Sequence, residues 1–272
     1  MTQHLADLFV KPTPLKGGEF DTSVLDAANI LAFDIETVPA SGWFWHPKVS
    51  YIPWKHITEP GSMLSWAAGW YHQPGQTLFS VLIRKNYDDM LWELWLLLDK
   101  ASYVVGWNSD RFDLKKVRSY FARAGLPPFR EPKSIDLMKT ARTFGFESAS
   151  LGYTAQMFGV TEKIDNGAVA SWQEVMAGDP EALERLEVYN RGDVTTTIEL
   201  FDAMRPWIRN HPHMGFAADD LERCPRCGSG DLTYVGVHQA VVIRYKQFRC
   251  GNCGGLARGV AHSRASVTRA VC

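Results

Sequence analysis

Four carboxylates and four thiols carry most of the chemistry this sequence offers. In ILAFDIETVPA (30–40), Asp34 and Glu36 stand two apart in an otherwise apolar run. On a strand they project from one face. Two like charges in an apolar setting cost several kcal/mol unless a positive species offsets them. Hard carboxylate oxygens suit Mg²⁺ or Mn²⁺, and two such ions about 4 Å apart need further acids. NSDRFD (108–113) and VYNRGDV (188–194) supply them. Asp113 falls in the first turn of an expected helix, where the dipole favours negative charge. Its competitor Asp110, between Ser109 and Arg111, reads as a solvated N-cap. Tyr189 and Asp193, four apart on a helix, share a face. A phenol there can orient an attacking water, although a reference pKa of about 10 makes it a poor base.

The thiols form CPRC (Cys224, Cys227) and CGNC (Cys250, Cys253), with 22 residues between the pairs. Paired thiolates two residues apart fit one edge of a tetrahedral Zn²⁺, and Gly228 and Gly254 suit the tight turn after each pair. The stretch between alternates like two strands, so a structural zinc ribbon is expected. His211, His213 and His238 are alternative ligands, but four cysteines already complete a closed site. The fifth cysteine, Cys272, is a bystander. No disulfide framework is expected.

Several elements must position these groups. A strand is expected at about 28–34, followed by an aromatic, proline-rich segment (39–62) that reads as a packed loop. MLSWAAGWYH and QTLFSVLI around QPGQ form a hairpin. Leu91, Leu94, Trp95 and Leu98 follow helical spacing, and YVVGWN (103–108) is a short apolar strand. The helix begun in DRFDLKKVRSYFARAG ends at Gly125 and Pro127. SIDLMKTART turns from strand to helix, and SASLGYTAQMFG is a short helix. The clearest helix follows GDP, with Asp179 as N-cap and Pro180 at its first position. The expected organisation is an irregular arm (1–22), a catalytic domain (23–208), a linker (209–221) and the ribbon (222–272).

FDIET, then NxxxFD, then YxxxD, in this order and on these elements, resemble the DnaQ-like (DEDD) 3′–5′ exonuclease superfamily in its tyrosine-bearing branch. The segments look closest to family-B polymerase proofreading domains and YprB-type RNase H-like exonucleases, over roughly residues 25–205. The resemblance implies an α/β fold, an RNase H-like mixed sheet flanked by helices. It implies that Asp34, Glu36, Asp113 and Asp193 hold two Mg²⁺ or Mn²⁺ and that Tyr189 orients the water. It maps the family's motif-two asparagine onto Asn108 and the residue near the substrate's terminal nucleotide onto Thr37; Asn108 and Phe112 are further candidates for substrate contact. The Trp-rich insert at 43–54 exceeds what a minimal exonuclease needs, which bears on the substrate path. Lys163 is a candidate phosphate contact. Trp43, Trp45, Trp54 and Trp107 are candidates for stacking on bases.

Composition bounds the function. A hydrophobic fraction of 46% and a charged fraction of 22% are ordinary for a globular protein. No apolar run reaches the length of a membrane span, and MTQHLADLFVKP lacks the layout of a signal peptide, so a cytoplasmic location is expected. Net charge is −1, yet residues 222–272 hold eight Lys/Arg against two acids, a formal +6. A basic ribbon on an acidic body suits nucleic acid. The leading expectation is removal of nucleoside monophosphates from DNA 3′ ends, in proofreading or repair beside a separate polymerase. An RNase or structure-specific endonuclease on the same fold, or a non-catalytic binding scaffold, are the competing classes.

Overall fold

The computed structural model describes residues 28–46, 48, 50–160, 172–214, 222–240 and 242–265. The expected arm (1–22) and Lys163 lie outside these residues. Leu25–Pro212 form one compact unit, and the residues from His213 onward belong to a second. No described helix is long and apolar enough to cross a membrane.

In the first unit the chain runs β1 (Ile30–Val38), β2 (Ser41–Gly42), β3 (Ile57–Glu59), β4 (Ser62–Trp70), β5 (Thr77–Val81), α1 (Tyr87–Lys100) and β6 (Tyr103–Gly106). It continues through α2 (Asp113–Arg123), β7 (Lys133–Asp136), α3 (Leu137–Ala141), α4 (Leu151–Phe158), α5 (Trp172–Met176) and α6 (Pro180–Met204). Five strands form one sheet in the order β5-β4-β1-β6-β7. β1 lies at its centre, antiparallel to β4 and parallel to β6. The sheet is therefore mixed, and the alternation of β1 decides what each face does. Leu31, Phe33 and Ile35 pack with Leu91, Leu94 and Leu98 of α1 and with Leu114, Val117 and Phe121 of α2. Ala32 faces the other way, against Ala67 and Val194 of α6. By the same period of two, Asp34 and Glu36 share the α6 face.

Small residues let α6 sit close. A Cβ on Gly69 would meet Val194 Cγ1 at 3.4 Å and Ile198 Cδ1 at 3.6 Å, so the helix lies within van der Waals reach of the strand at this point. The helix starts as its sequence dictates: Asp179 Oδ1 accepts from the Ala182 N–H at 2.7 Å, and Pro180 opens the first turn. In α1, Asn86 Oδ1 likewise caps the Asp88 N–H at 2.9 Å. The expected hairpin is β4–β5, and the Gln76 N–H closes its turn onto the Gln73 carbonyl at 3.1 Å.

Three local expectations change. The first strand runs to Val38 rather than ending near 34, because β4 pairs with it as far as Ser62. The segment 39–61 is not a packed loop: its aromatic rings are exposed, and β2 pairs with β3 at its base. Dense aromatic residues suggested core, but the sheet's two faces are already covered by α1, α2 and α6. In the second unit three strands form the sheet, β8 (Leu232–Gln239), β9 (Ile243–Cys250) and β10 (Leu256–Ala265), in the order β10-β9-β8. The third follows the last cysteine pair, outside the stretch read as two strands.

Candidate active site and cysteine cluster

Two long-range hydrogen bonds bring Asp113 and the helix that bears Asp193 to the end of β1. β6 stops at Gly106 while β1 runs on to Val38. Beyond that end, the Ile35 N–H donates to Asp113 Oδ1 at 3.3 Å, so the Asp113 carboxylate abuts the backbone between Asp34 and Glu36. From the opposite face, Asn190 Nδ2 donates to Asp34 Oδ2 at 2.6 Å. Asn190 Oδ1 in turn accepts from Ser65 Oγ at 3.0 Å, and Ser65 pairs with Glu36 across the sheet. Asp193, one turn after Asn190 on α6, is buried, and Tyr189 is half-buried beside Asn190. Segments far apart in sequence thus converge on Asp34–Glu36. The register between β1 and β4 shifts between Glu36 and Thr37. Such irregularities re-aim side chains where pairing is interrupted.

Two acids three residues apart have opposite electrostatics. Asp113 is 4% exposed. Burial pushes its carboxyl up to about 7; its own N–H and that of Ile35 oppose the rise, and the nearby Asp136 adds to it. Burial would also raise Asp110, but hydrogen bonds from Lys139 and Ser134 outweigh it and hold Asp110 below the ordinary carboxylate range. Asp110 already has its cation in Lys139. It is therefore an ion-paired residue rather than a solvated N-cap. Asp113 is a buried acid beside other acids, the arrangement that a bound cation would relieve.

The loop carrying Asp113 is braced by an acid that the sequence reading passed over. Asp136, buried at the end of β7, accepts from the Asn108 N–H at 2.9 Å and from the Met138 N–H at 3.1 Å. Burial raises its pKa as well. Asn108 takes a left-handed φ of 60°, and its carbonyl accepts from the N–H groups of Arg111 and Phe112 at 3.0 and 3.1 Å. Phe112 is exposed at the start of α2, with Lys116 Nζ 5.9 Å from its ring. Trp107 is half-buried and donates Nε1–H to the Ala149 carbonyl at 3.2 Å, so it braces a loop.

Asn190, Ser65 and Asp136 were the residues missed. A signal for the first existed in the sequence. The buried stripe of α6 runs Leu183, Leu186, Asn190, Asp193, Thr197, Leu200 and Met204, so polar groups interrupt an apolar face for three successive steps. A strand-terminal Asp directly before a helix, as in SID–LMK, reads as an N-cap. Nothing local marks Ser65.

A family model for the RNase H superfamily matches residues 59–205, more than half of the chain. The chain belongs to the RNase H superfamily. The mixed sheet with helices on both faces is accordingly an RNase H-like fold. The matched span holds Asp113, Tyr189 and Asp193 and begins after Asp34 and Glu36. Among solved structures, the chain is similar to the family B DNA polymerase from the hyperthermophilic archaeon Pyrobaculum calidifontis, at 20% identity and a TM-score of 0.46. The similarity covers 65% of this chain and 24% of that one, so the chain spans about a quarter of the polymerase's length. No curated protein matches the sequence.

The second cluster is built by short-range bonds. In each knuckle a cysteine carbonyl accepts from the N–H four residues on: Gly228 onto Cys224 at 2.9 Å and Gly254 onto Cys250 at 3.0 Å. Both glycines take left-handed φ values, 72° and 69°, which favour glycine. Cys224 Sγ lies 3.7 Å from Cys253 Sγ, and Cys227 Sγ lies 3.6 Å from Cys250 Sγ. A tetrahedron with Zn–S bonds of about 2.3 Å has edges of about 3.8 Å. All four sulfurs lie within 4.8 Å of one another and are buried, so the donor set and its spacing fit zinc. Sulfur–sulfur contacts hold Cys250 down at about 6 and push Cys224 up. Among the described residues this is the one group of three or more such ligand atoms gathered that tightly. Arg226 and Arg249 brace the knuckles by donating to the Leu256 and Gly254 carbonyls at 2.6 and 3.0 Å.

Proposed function

We propose that the chain is a metal-dependent 3′–5′ exonuclease of the DnaQ-like, tyrosine-bearing branch, acting on DNA. One observation carries the reading. Asp113 meets the Ile35 N–H between Asp34 and Glu36, while Asn190, on the helix that bears Asp193, holds Asp34. This is an all-oxygen donor set, and the burial that raises Asp113 makes the site costly without positive charge. Asp34, Glu36, Asp113 and Asp193 would hold two Mg²⁺ or Mn²⁺. Bound there, the ions would supply positive charge to a phosphate and acidity to a water.

The protein's own groups do the rest. Asn190 fixes the Asp34 rotamer from a buried position, and Asp136 fixes the Asn108–Asp113 loop. The Tyr189 hydroxyl orients the attacking water in line with the scissile bond. Thr37, Asn108 and Phe112 contact the terminal nucleotide, and Phe112 offers a ring face for its base. The four cysteines hold one structural Zn²⁺, and the ribbon, at about +4 once the −2 of a zinc–tetrathiolate site is set against its formal +6, adds phosphate affinity. A proofreading or repair role would place a separate polymerase beside it.

The test uses 5′-labelled linear DNA and a covalently closed single-stranded circle, with Mg²⁺ or Mn²⁺. The reading expects stepwise shortening of the linear strand from its 3′ end, with mononucleotide release, and an intact circle. Cleavage of the circle would replace it with the endonuclease reading.

A further inference from the structure

The segment joining β1 to β4 holds five aromatic rings within twelve residues: Trp43, Phe44, Trp45, Tyr51 and Trp54. All are turned to solvent, with exposures of 75%, 55%, 99%, 74% and 73%. Large rings this exposed and this close in sequence are the kind of surface that binding partners use. The segment leaves and returns through a two-strand stalk, with Ser41 paired to Glu59 and Gly42 to Ile57. Trp43 N–H donates to the His56 carbonyl at 2.9 Å, which sets the first ring just beyond the stalk. The stalk departs from the end of β1 that bears Glu36, since Thr37 and Val38 pair with Met63 and Ser62. Gly42 lies six steps along the chain from Glu36, a reach of at most about 20 Å.

We propose that this aromatic arm stacks on unpaired bases of a single-stranded nucleic acid whose 3′ end lies at Asp34 and Glu36. The proposal rests on the nuclease reading and deepens it, making the substrate a single-stranded end several nucleotides long. Charge selects this occupant. Between Thr37 and Thr58 there is no Asp or Glu, while Lys48 and Lys55 stand among the rings. Lys55 Nζ lies 5.8 Å from the centre of the Trp54 ring, so cation and ring face share one surface. An unpaired strand presents base faces and phosphates together, which suits such a surface and gives affinity without sequence choice. A duplex keeps its base faces stacked inside and offers the rings little.

Equilibrium binding without added Mg²⁺ or Mn²⁺ separates this from cleavage. The probes are oligothymidylates of two, six and twelve residues and a twelve-residue abasic strand of equal charge, read by tryptophan fluorescence and anisotropy. Binding of the longest strand quenches fluorescence and is at least tenfold tighter than that of the abasic strand. Affinity steps up between two and twelve nucleotides, since a dinucleotide held at the acids is too short to reach the rings as well. Trp45→Ala weakens twelve-residue binding severalfold, and the triple variant Trp43→Ala/Trp45→Ala/Trp54→Ala weakens it by more than tenfold. Because these rings are exposed, the variants fold, which circular dichroism checks. Equal affinity for the abasic strand, or a triple variant that binds as wild type, overturns the proposal and favours a protein occupant. Base-dependent binding by a protein that never cleaves sinks the nuclease reading alone. Cleavage without base-dependent binding sinks this inference alone.

Discussion

The two candidate metal sites are assembled in opposite ways. The thiol cluster is made by two five-residue knuckles, each closed by its own backbone bond and a glycine of positive φ. The carboxylate site is made by bonds spanning 78 and 156 positions, Ile35 to Asp113 and Asn190 to Asp34. Its formation waits on the sheet and on α6 docking across Gly69. Local geometry can therefore be read from spacing alone, whereas nonlocal geometry can be read only once the fold brings its parts together. The energetics differ too. A closed set of four thiolates would gain its folding energy from the ion. The buried acids are carried by a sheet packed on apolar side chains of α1, α2 and α6.

Breaking the thiol side should have the larger effect. Cys250→Ser should abolish bound zinc and forfeit metal-linked folding energy on the order of 10 kcal/mol. Limited proteolysis should then cut within 222–265 while 30–208 survives. Equal loss of both regions would mean that their stabilities are not separable.

The acid side should depend on metal only where its carboxyls ionise. The Asp113 carboxyl is raised by burial to about 7 from 3.8. Between these values the folded state binds more protons than the unfolded one, so stability falls as pH rises through that window and levels above it. The loss is at most on the order of 4 kcal/mol, at about 1.4 kcal/mol per tenfold change. Thermal melts from pH 4 to 8 without added Mg²⁺ read the slope. Asp113→Asn should flatten it, and Mg²⁺ at pH 8 should restore stability to wild type only. A wild-type slope that rises with pH would contradict the burial account.

How much of this was legible follows the same divide. Alternation placed Asp34 and Glu36 on one face, helical spacing placed Tyr189 with Asp193, and the cysteine pairs declared themselves. The choice of Asp113 over Asp110 rested on its place in the first helical turn and on the polar neighbours of Asp110, and the structure separates the two through Lys139, twenty-nine residues from Asp110. Asn190 was passed over because its partners, Ser65 and Asp34, lie 125 and 156 positions away. The packed-loop reading of the insert failed for a physical reason, although Trp43, Trp45 and Trp54 were also read as candidates for stacking on bases. Five rings look like core to any composition count, and only the closure of both sheet faces leaves them outside.

Smaller changes sharpen the comparison. Tyr189→Phe removes one hydroxyl and no ligand, so calorimetric Mn²⁺ affinity should hold while the rate falls about a hundredfold, or about 2.7 kcal/mol. A parallel fall in Mn²⁺ affinity would give Tyr189 another role. Asn190→Ala strips the donor from Asp34 and leaves Ser65 Oγ without its acceptor, at about 1–2 kcal/mol in a chemical-denaturation midpoint. It should also raise the Mg²⁺ concentration needed for half-maximal rate. An unchanged Mg²⁺ requirement would make Asn190 purely a packing residue.

The most direct measurement is hydrolysis of a 5′-labelled single strand against Mg²⁺ concentration, on protein whose zinc content is verified by atomic absorption. With zinc bound and no Mg²⁺ or Mn²⁺, wild type should be inactive, and added Mg²⁺ should restore shortening from the 3′ end. Asp34→Ala and Asp113→Ala should retain zinc and the fold yet stay inactive at every Mg²⁺ concentration. Hydrolysis by zinc-loaded wild type without Mg²⁺ or Mn²⁺, or near-wild-type rates from either variant, would contradict the assignment of chemistry to the acids at the end of β1.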